Sequence, residues 1–328
     1  MKYIIAALIL SAWVSAVPAQ QTASTGAGPS YPGRPLRMIV PWPPGQATDV
    51  AGRVVAQKLS DALGQSVVVD NRSGAGGMIG TDIAAKAAAD GYTLLAASSG
   101  PISISPLLQK TPYDVERDFA PVAKVGISPY LLVTTAAFPA ANARDFVTLL
   151  RANPGKYTFA SSGTGASAHL VAEWFNSVAG VRATHVPYKG SAAALTDVIS
   201  GQVTYTFETA STTVPLIRAG RLKTYGISLG RTSPVAPGIE PVARTAGLSG
   251  FEMGGWIGVM VAKATPRPIV IRLASSVDTL MRSADAREKL ASLYVDVDYM
   301  GAEAFARDLN TQRARFSEII KKGNIRIE

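Results

Sequence analysis

The run "ASSGTGASAHL" (160–170) follows a β-type segment, "YTFAS" (157–161), and leads into a helical pattern through Glu173 and Trp174. At a helix start the first N–H groups have no intrahelical partner and the macrodipole is positive. Ser161, Ser162, Thr164, Gly165 and Ser167 therefore offer donors without bulk to an anion of carboxylate or phosphate size. The alternative is a glycine-containing helix cap that holds no ligand.

Two more stretches carry comparable chemistry. In "VPWPPGQATD" (40–49) an apolar run meets Pro41-Trp42-Pro43-Pro44-Gly45, then a helical pattern begins. Such a proline cluster excludes a helix interior or a central strand, so it is a stiff loop at a strand's carboxyl end. Gly45 permits a tight turn, and Thr48 or Asp49 is placed to cap the next helix. Trp42 offers either an aromatic wall to a ligand or a packing plug. The third stretch, "ASSGPIS" (97–103), puts Ser98 and Ser99 at another strand end. Glu208, just beyond "VTYTF" (203–207), is placed to take an amino or hydroxyl group, or to be solvated. Asp49, His169 and Tyr188 are either cleft-facing or structural.

Other chemistries lack their residues. Gly163-x-Gly165-x-x-Ala168 resembles a dinucleotide fingerprint, but Lys189 follows the next strand where a ribose-holding acid is needed. "GAGGMIG" (74–80) lacks the glycine spacing, and no P-loop or GxSxG elbow is present. His169 and Glu173 stand four apart on one helix without a third ligand, so no metal site is expected. The chain has only two histidines, His169 and His185, and no serine in a nucleophile setting. The expectation is a protein that is not an enzyme and needs no cofactor.

The elements that position these loops alternate. Strand candidates are 36–40, 66–70, 92–98, 130–135, 157–161, 183–188, 203–207, 222–228 and 256–262. Several are continuous Val/Ile/Leu runs, as in parallel strands covered on both faces. Between them lie helical patterns such as 47–64, where Val50, Val54, Leu59 and Leu63 share a face. Alternating strand and helix argues for an α/β fold. A Pro/Ala stretch at 135–143 and a return near 248–256 suggest two lobes joined by two crossings, with a cleft between. One lobe would comprise 31–134 and 254–328, the other 135–253. The long amphipathic helix at 301–323 would pack across both.

Residues 1–19 show a lysine, a short apolar run and small residues ending Val17-Pro18-Ala19, the pattern of a secretory signal peptide. Residues 20–30 read as a flexible leader. With no cysteine, disulfides and a lipid-modified anchor are both excluded. A free periplasmic protein is expected. The formal net charge of +9 favours an anionic partner. Its basic residues are scattered singly, which argues against nucleic acid.

Five stretches in order resemble the tripartite tricarboxylate transporter solute receptors, the TctC-like or Bug family. They are "YPGRPLRMIVPWPPGQATDVAGR", "GQSVVVDNRSGAGGMIGTDIAAKAAADGYTLL", "YDVERDFAPVAKV", "ASSGTGASAHLVAEWF" and "HVPYKGSAAALTDVISGQV". The resemblance implies a two-lobed periplasmic binding protein, type II-like, with two mixed, mostly parallel sheets and a ligand cleft. It implies a small carboxylate ligand (a di- or tricarboxylate, an acidic amino acid or an aromatic acid), delivered by a monomeric receptor to a membrane permease of one large and one small subunit. It places the ligand against the loop after "LRMIV" and the loop "SSGTGAS". Two departures fall there: Gln46 stands where a second glycine is usual, and Trp42 where Phe is common. The same fold serving as a sensor for a membrane signalling kinase is the alternative, and a secreted hydrolase the least favoured.

Overall fold

Aliphatic runs too short for helices build the strands, and glycines and hydroxyl-rich turns end them. The computed structural model describes residues 31–326; the leader read at 1–19 and the linker at 20–30 lie outside the described residues. The strands are β1 (Leu36–Val40), β2 (Val67–Asn71), β3 (Thr93–Ser98), β4 (Phe119–Ser128), β5 (Tyr130–Thr135) and β6 (Tyr157–Ser161). They continue with β7 (Ala183–Pro187), β8 (Tyr205–Thr209), β9 (Leu222–Ile227), β10 (Gly255–Ala262) and β11 (Asp296–Gly301). One sheet has the order β11-β4-β10-β3-β1-β2 and the other β7-β6-β8-β5-β9.

Both sheets are mixed, as expected, but parallel pairing does not dominate. In the first sheet only β1–β2 and β1–β3 are parallel; β3–β10, β10–β4 and β4–β11 are antiparallel. In the second, β6–β7 and β6–β8 are parallel, while β5 runs against β8 and β9. The cause is the double passage between sheets. A strand entering a sheet from the other one has no crossover helix behind it, so it runs against its neighbours.

Sheet membership puts the first passage at Ser128-Pro129-Tyr130, before the Pro/Ala stretch at 135–143. The segment 130–135 is β5, flanked on both sides in the second sheet, with Leu131, Leu132 and Val133 buried. A strand so covered belongs to the core it fills. The return passage ends at Gly255, where β10 begins. Two strands gave no readable signal. β4 contains Pro121, Lys124 and Gly126, and two register shifts against β10 accommodate it. β11 carries Asp296 and Asp298. Their charges are met inside the fold: Arg231 reaches Asp296 at 2.9 Å, and buried Lys124 reaches Asp298 at 2.7 Å and Asp308 at 3.1 Å.

The helix Ala47–Leu63 occupies nearly the expected span, and Gly64 ends it in the left-handed region. The last helix, Ala302–Gly323, joins both cores. Phe305 meets the Trp256 ring edge-on at 5.1 Å, in the apolar cluster of the first sheet. Phe316 and Ile319 lie in the second sheet's cluster with Phe146, Phe159 and Phe175. Between these anchors Arg315 donates to the Glu252 carbonyl oxygen at 3.1 Å, beside the return passage.

Candidate functional site

The carboxyl ends of β1, β3, β4, β6 and β8 and the beginnings of β5 and β10 converge on one cavity, the place where open α/β sheets collect ligands. From the first sheet come Trp42, Gln46, Ala47 and Thr48 after β1, Ser98 and Ser99 after β3, and Ser128 at the end of β4. Gly255, Trp256 and Ile257 open β10. From the second sheet come Tyr130, Ser162, Ser167, Glu208 and Thr209. The enclosed volume is about 20 Å³, room for about one water molecule.

Hydrogen bonds cross from one sheet's loops to the other's. Gln46 Nε2 donates to Ser191 Oγ at 2.5 Å, and Ser191 Oγ donates to Glu208 Oε2 at 2.5 Å. Ser99 Oγ and Ser167 Oγ share a hydrogen bond at 2.8 Å, and Ser105 Oγ donates to the Gly165 carbonyl at 3.2 Å. Within the first side, Trp42 Nε1 donates to Ser98 Oγ at 2.9 Å. Trp42 is thus both buried plug and cavity wall.

Among the described residues, no Lys, Arg or His lines the cavity, and Glu208 is its sole acid. Burial pushes the Glu208 carboxyl up to about 7, against the hydrogen bond from Ser191 and the donors of Thr209 and Ser162. Burial likewise pushes the Tyr130 hydroxyl well above its usual range. Among the described residues, seven buried side-chain atoms have no hydrogen-bond partner, and three belong to lining residues: Ser128 Oγ, Glu208 Oε1 and Trp256 Nε1.

The residues singled out in the sequence divide. Trp42, Gln46, Thr48, Ser98, Ser99, Ser162, Ser167 and Glu208 line the cavity; Gly45, Ser161, Thr164 and Gly165 do not. Gly45 turns at φ +87 and its N–H donates to Asp49 Oδ2 at 2.9 Å. Asp49 is structural: buried, it also accepts from Asn71 Nδ2 at 2.8 Å and from Arg53 Nε at 3.0 Å. Ser161 turns away from the cavity to His185 Nε2 at 2.7 Å. His169 stacks on His185 with ring centroids 4.0 Å apart, and its Nδ1 accepts from the Gly165 N–H at 3.3 Å. Burial and the neighbouring His169 push His185 down to about 3, so the His185 ring supports the loop from behind in its neutral form. Tyr188 donates to Asp197 and, with Thr164, lines a separate surface groove.

One expectation is corrected. Glu208 lies inside β8, opposite Leu131, rather than beyond the strand, because pairing with β5 carries β8 through Thr209. Gln46 has φ −73, ordinary for any residue, so its side chain imposes no backbone restriction. Ala47, Ser128, Tyr130, Thr209, Gly255, Trp256 and Ile257 were not legible as lining residues. Four of them flank the two passages between sheets, and an aromatic next to proline or glycine at such a passage is the signal that marks them.

Gln46→Ala removes a side-chain bond between the two sides and is expected to weaken ligand binding about fivefold, roughly 1 kcal/mol. Calorimetry on Gln46→Ala, Ser191→Ala and the double variant checks it; additive losses would show that the two side chains are not coupled.

Two mixed α/β sheets whose strand ends face one another across a hydroxyl-rich cavity define a solute-binding protein of the periplasmic type. Comparison with known proteins agrees. Residues 51–325 match the tripartite tricarboxylate transporter family receptor (TctC). The chain is 39% identical over 265 residues to protein BugT of Bordetella pertussis (strain Tohama I), covering 80% of this chain and 81% of that one. The structure of R. palustris Rpa4515 with adipate superposes with a TM-score of 0.86 at 31% identity, covering 90% and 99% of the two chains. MatC (Rpa3494) from Rhodopseudomonas palustris, with bound malate, gives 0.81 at 29% identity, covering 88% and 100%. The chain belongs to the TctC family of periplasmic solute receptors, and it is a binding protein, not an enzyme.

Proposed function

We propose that this chain captures a small dicarboxylate between its two sheets and delivers it to a membrane permease of the tripartite tricarboxylate type. The observation that carries the reading is the cluster of Ser128 Oγ, Glu208 Oε1 and Trp256 Nε1, buried and unpartnered on residues lining one cavity. Buried polar groups in folded proteins are almost always paired, so such a cluster marks where a polar solute completes the site. Hydroxyls, an indole N–H and backbone donors suit carboxylate oxygens. Two solved relatives hold adipate and malate, which puts dicarboxylates first.

Residues 31–128 with 255–326 would form one lobe and 130–254 the other, moving about the two passages. The cavity has room for about one water molecule, so the lobes would part to admit a dicarboxylate. The site residues are Trp42, Gln46, Thr48, Ser98, Ser99, Ser162, Ser167 and Glu208, together with Ser128, Tyr130 and Trp256. A few charge-assisted hydrogen bonds of about 1.5–3 kcal/mol each offset ligand desolvation and lobe closure, giving micromolar affinity, about −8 kcal/mol. Neutral donors also let the ligand go, as a delivery protein requires.

Isothermal titration calorimetry on protein freed of copurified ligand, against a carboxylate panel that includes adipate and malate, should show one site per chain. Silence from every acid in the panel would refute the reading.

A further inference from the structure

Glu208 is out of keeping with a pocket for anions. It lies in the cavity wall, 1% exposed, and nothing cationic lines the cavity with it. Two carboxylates at hydrogen-bonding distance in such a site cannot both stay ionised. Either the ligand brings an ammonium group, or Glu208 carries a proton.

Adipate and malate, held by two solved relatives, carry no ammonium group, which leaves the proton on Glu208. Ser191 Oγ spends its single proton on Glu208 Oε2 and itself accepts from Gln46 Nε2, so that side of the carboxyl is occupied. Oε1 is left without a partner. Protonated there, the acid becomes a donor and joins the hydroxyls and the indole N–H around it. Ionised, it would set a second negative charge against the ligand carboxylate.

Resting on the carboxylate reading above, we propose that Glu208 binds the ligand as a neutral acid, donating its Oε1 proton to a ligand carboxylate oxygen, so that capture takes up a proton. In the fraction of molecules where Glu208 is ionised beforehand, solvent supplies that proton as the ligand arrives, and no other bond changes. The surroundings permit it. On β5 the facing titratable group is the Tyr130 hydroxyl, held neutral by burial. His169 and His185 stack behind β6, with His185 neutral. Lys189, before the helix Ser191–Ser200, is exposed, and Asp49 is engaged by Gly45, Asn71 and Arg53. No charged group is among the causes acting on Glu208, whose carboxyl sits near 7 through burial.

The test uses adipate and malate, both fully ionised at neutral pH and above, titrated calorimetrically in buffers of differing ionisation enthalpy. Binding should take up about half a proton at pH 7 and about nine-tenths at pH 8, and affinity should fall about tenfold per pH unit above that. Glu208→Gln should bind with no uptake and a flat pH profile. Infrared difference spectra of the free protein, wild type minus Glu208→Gln, should show a carboxylic C=O band that titrates away near pH 7. Absence of that band, proton release on binding, or uptake undiminished in Glu208→Gln would each overturn the proposal while leaving carboxylate capture intact. If no acid binds at all, the carboxylate reading fails and this proposal with it.

Discussion

Gly76→Ala is expected to weaken ligand binding about 100-fold, roughly 3 kcal/mol, while lowering stability by only about 1 kcal/mol. Gly76 sits at φ +63 in the turn between β2 and the helix Met78–Ala85. A Cβ there would lie 2.4 Å from the Thr164 carbonyl oxygen and 3.3 Å from the Ala166 nitrogen, on the loop from the opposite sheet. Both obstacles are backbone, and neither can swing aside. The left-handed conformation costs an alanine about 1 kcal/mol wherever the lobes stand, but the clash exists only where the two loops meet. The variant should fold, keep an open cleft and fail to close over the solute. Small-angle scattering with and without adipate, beside calorimetry, reads this directly; ligand-induced compaction equal to that of wild type would show that the seam tolerates a methyl group. A side-chain contact adds to the seam, where a Cβ on Gly190 would come within 2.6 Å of Pro43 Cγ.

Asp49→Ala should be the most destabilising single change in the proline-rich loop, at about 3 kcal/mol. The carboxylate is buried beneath the loop and accepts from three groups. Asn71 is held between it and the Trp42 carbonyl, which Asn71 Nδ2 reaches at 2.9 Å. Removing the acid leaves the Gly45 N–H and the Asn71 amide short of an acceptor and frees the loop that aims Trp42 and Gln46. Urea unfolding measures the stability loss, and affinity for adipate should fall about tenfold with it. Asp49→Asn, which retains one acceptor oxygen, should recover part of both. Arg53→Met should cost under about 1 kcal/mol, because the Arg53 side chain is half exposed. Equal losses in Asp49→Ala and Arg53→Met would mean that the ion pair, rather than the loop anchor, carries the effect.

What was legible in the sequence follows from how each strand is solvated. β1, β5 and β6 are short, mostly buried runs built around apolar residues, and their ends coincide with the expected ones to the residue. β4 and β11 satisfy their polar residues through partners far along the chain. Lys124 is paired with Asp308 across 184 positions, a pairing that no local window contains. The site shows the same division. Loops after readable strands supplied Trp42, Gln46, Thr48, Ser98, Ser99, Ser162 and Ser167. Ser128, Tyr130 and Trp256 escaped because their strands enter or leave a sheet at the passages. "GAGGMIG", set aside as a failed dinucleotide motif, needs its glycines for another reason: Gly76 lets two backbones touch.

The helix Ala302–Gly323 limits the proposed capture cycle. Pinned by Phe305 in one core and by Phe316 and Ile319 in the other, it works as a strut beside the return passage. Peeling Phe316 and Ile319 from their core would cost about 1.5–3 kcal/mol each, a large share of the roughly 8 kcal/mol that a micromolar ligand supplies. The economical motion leaves the strut seated and pivots on it. The contacts that would then have to part include Gly76 against Thr164 and Gly190 against Pro43. In the proposed cycle, solute would pass these glycines as the two loops separate.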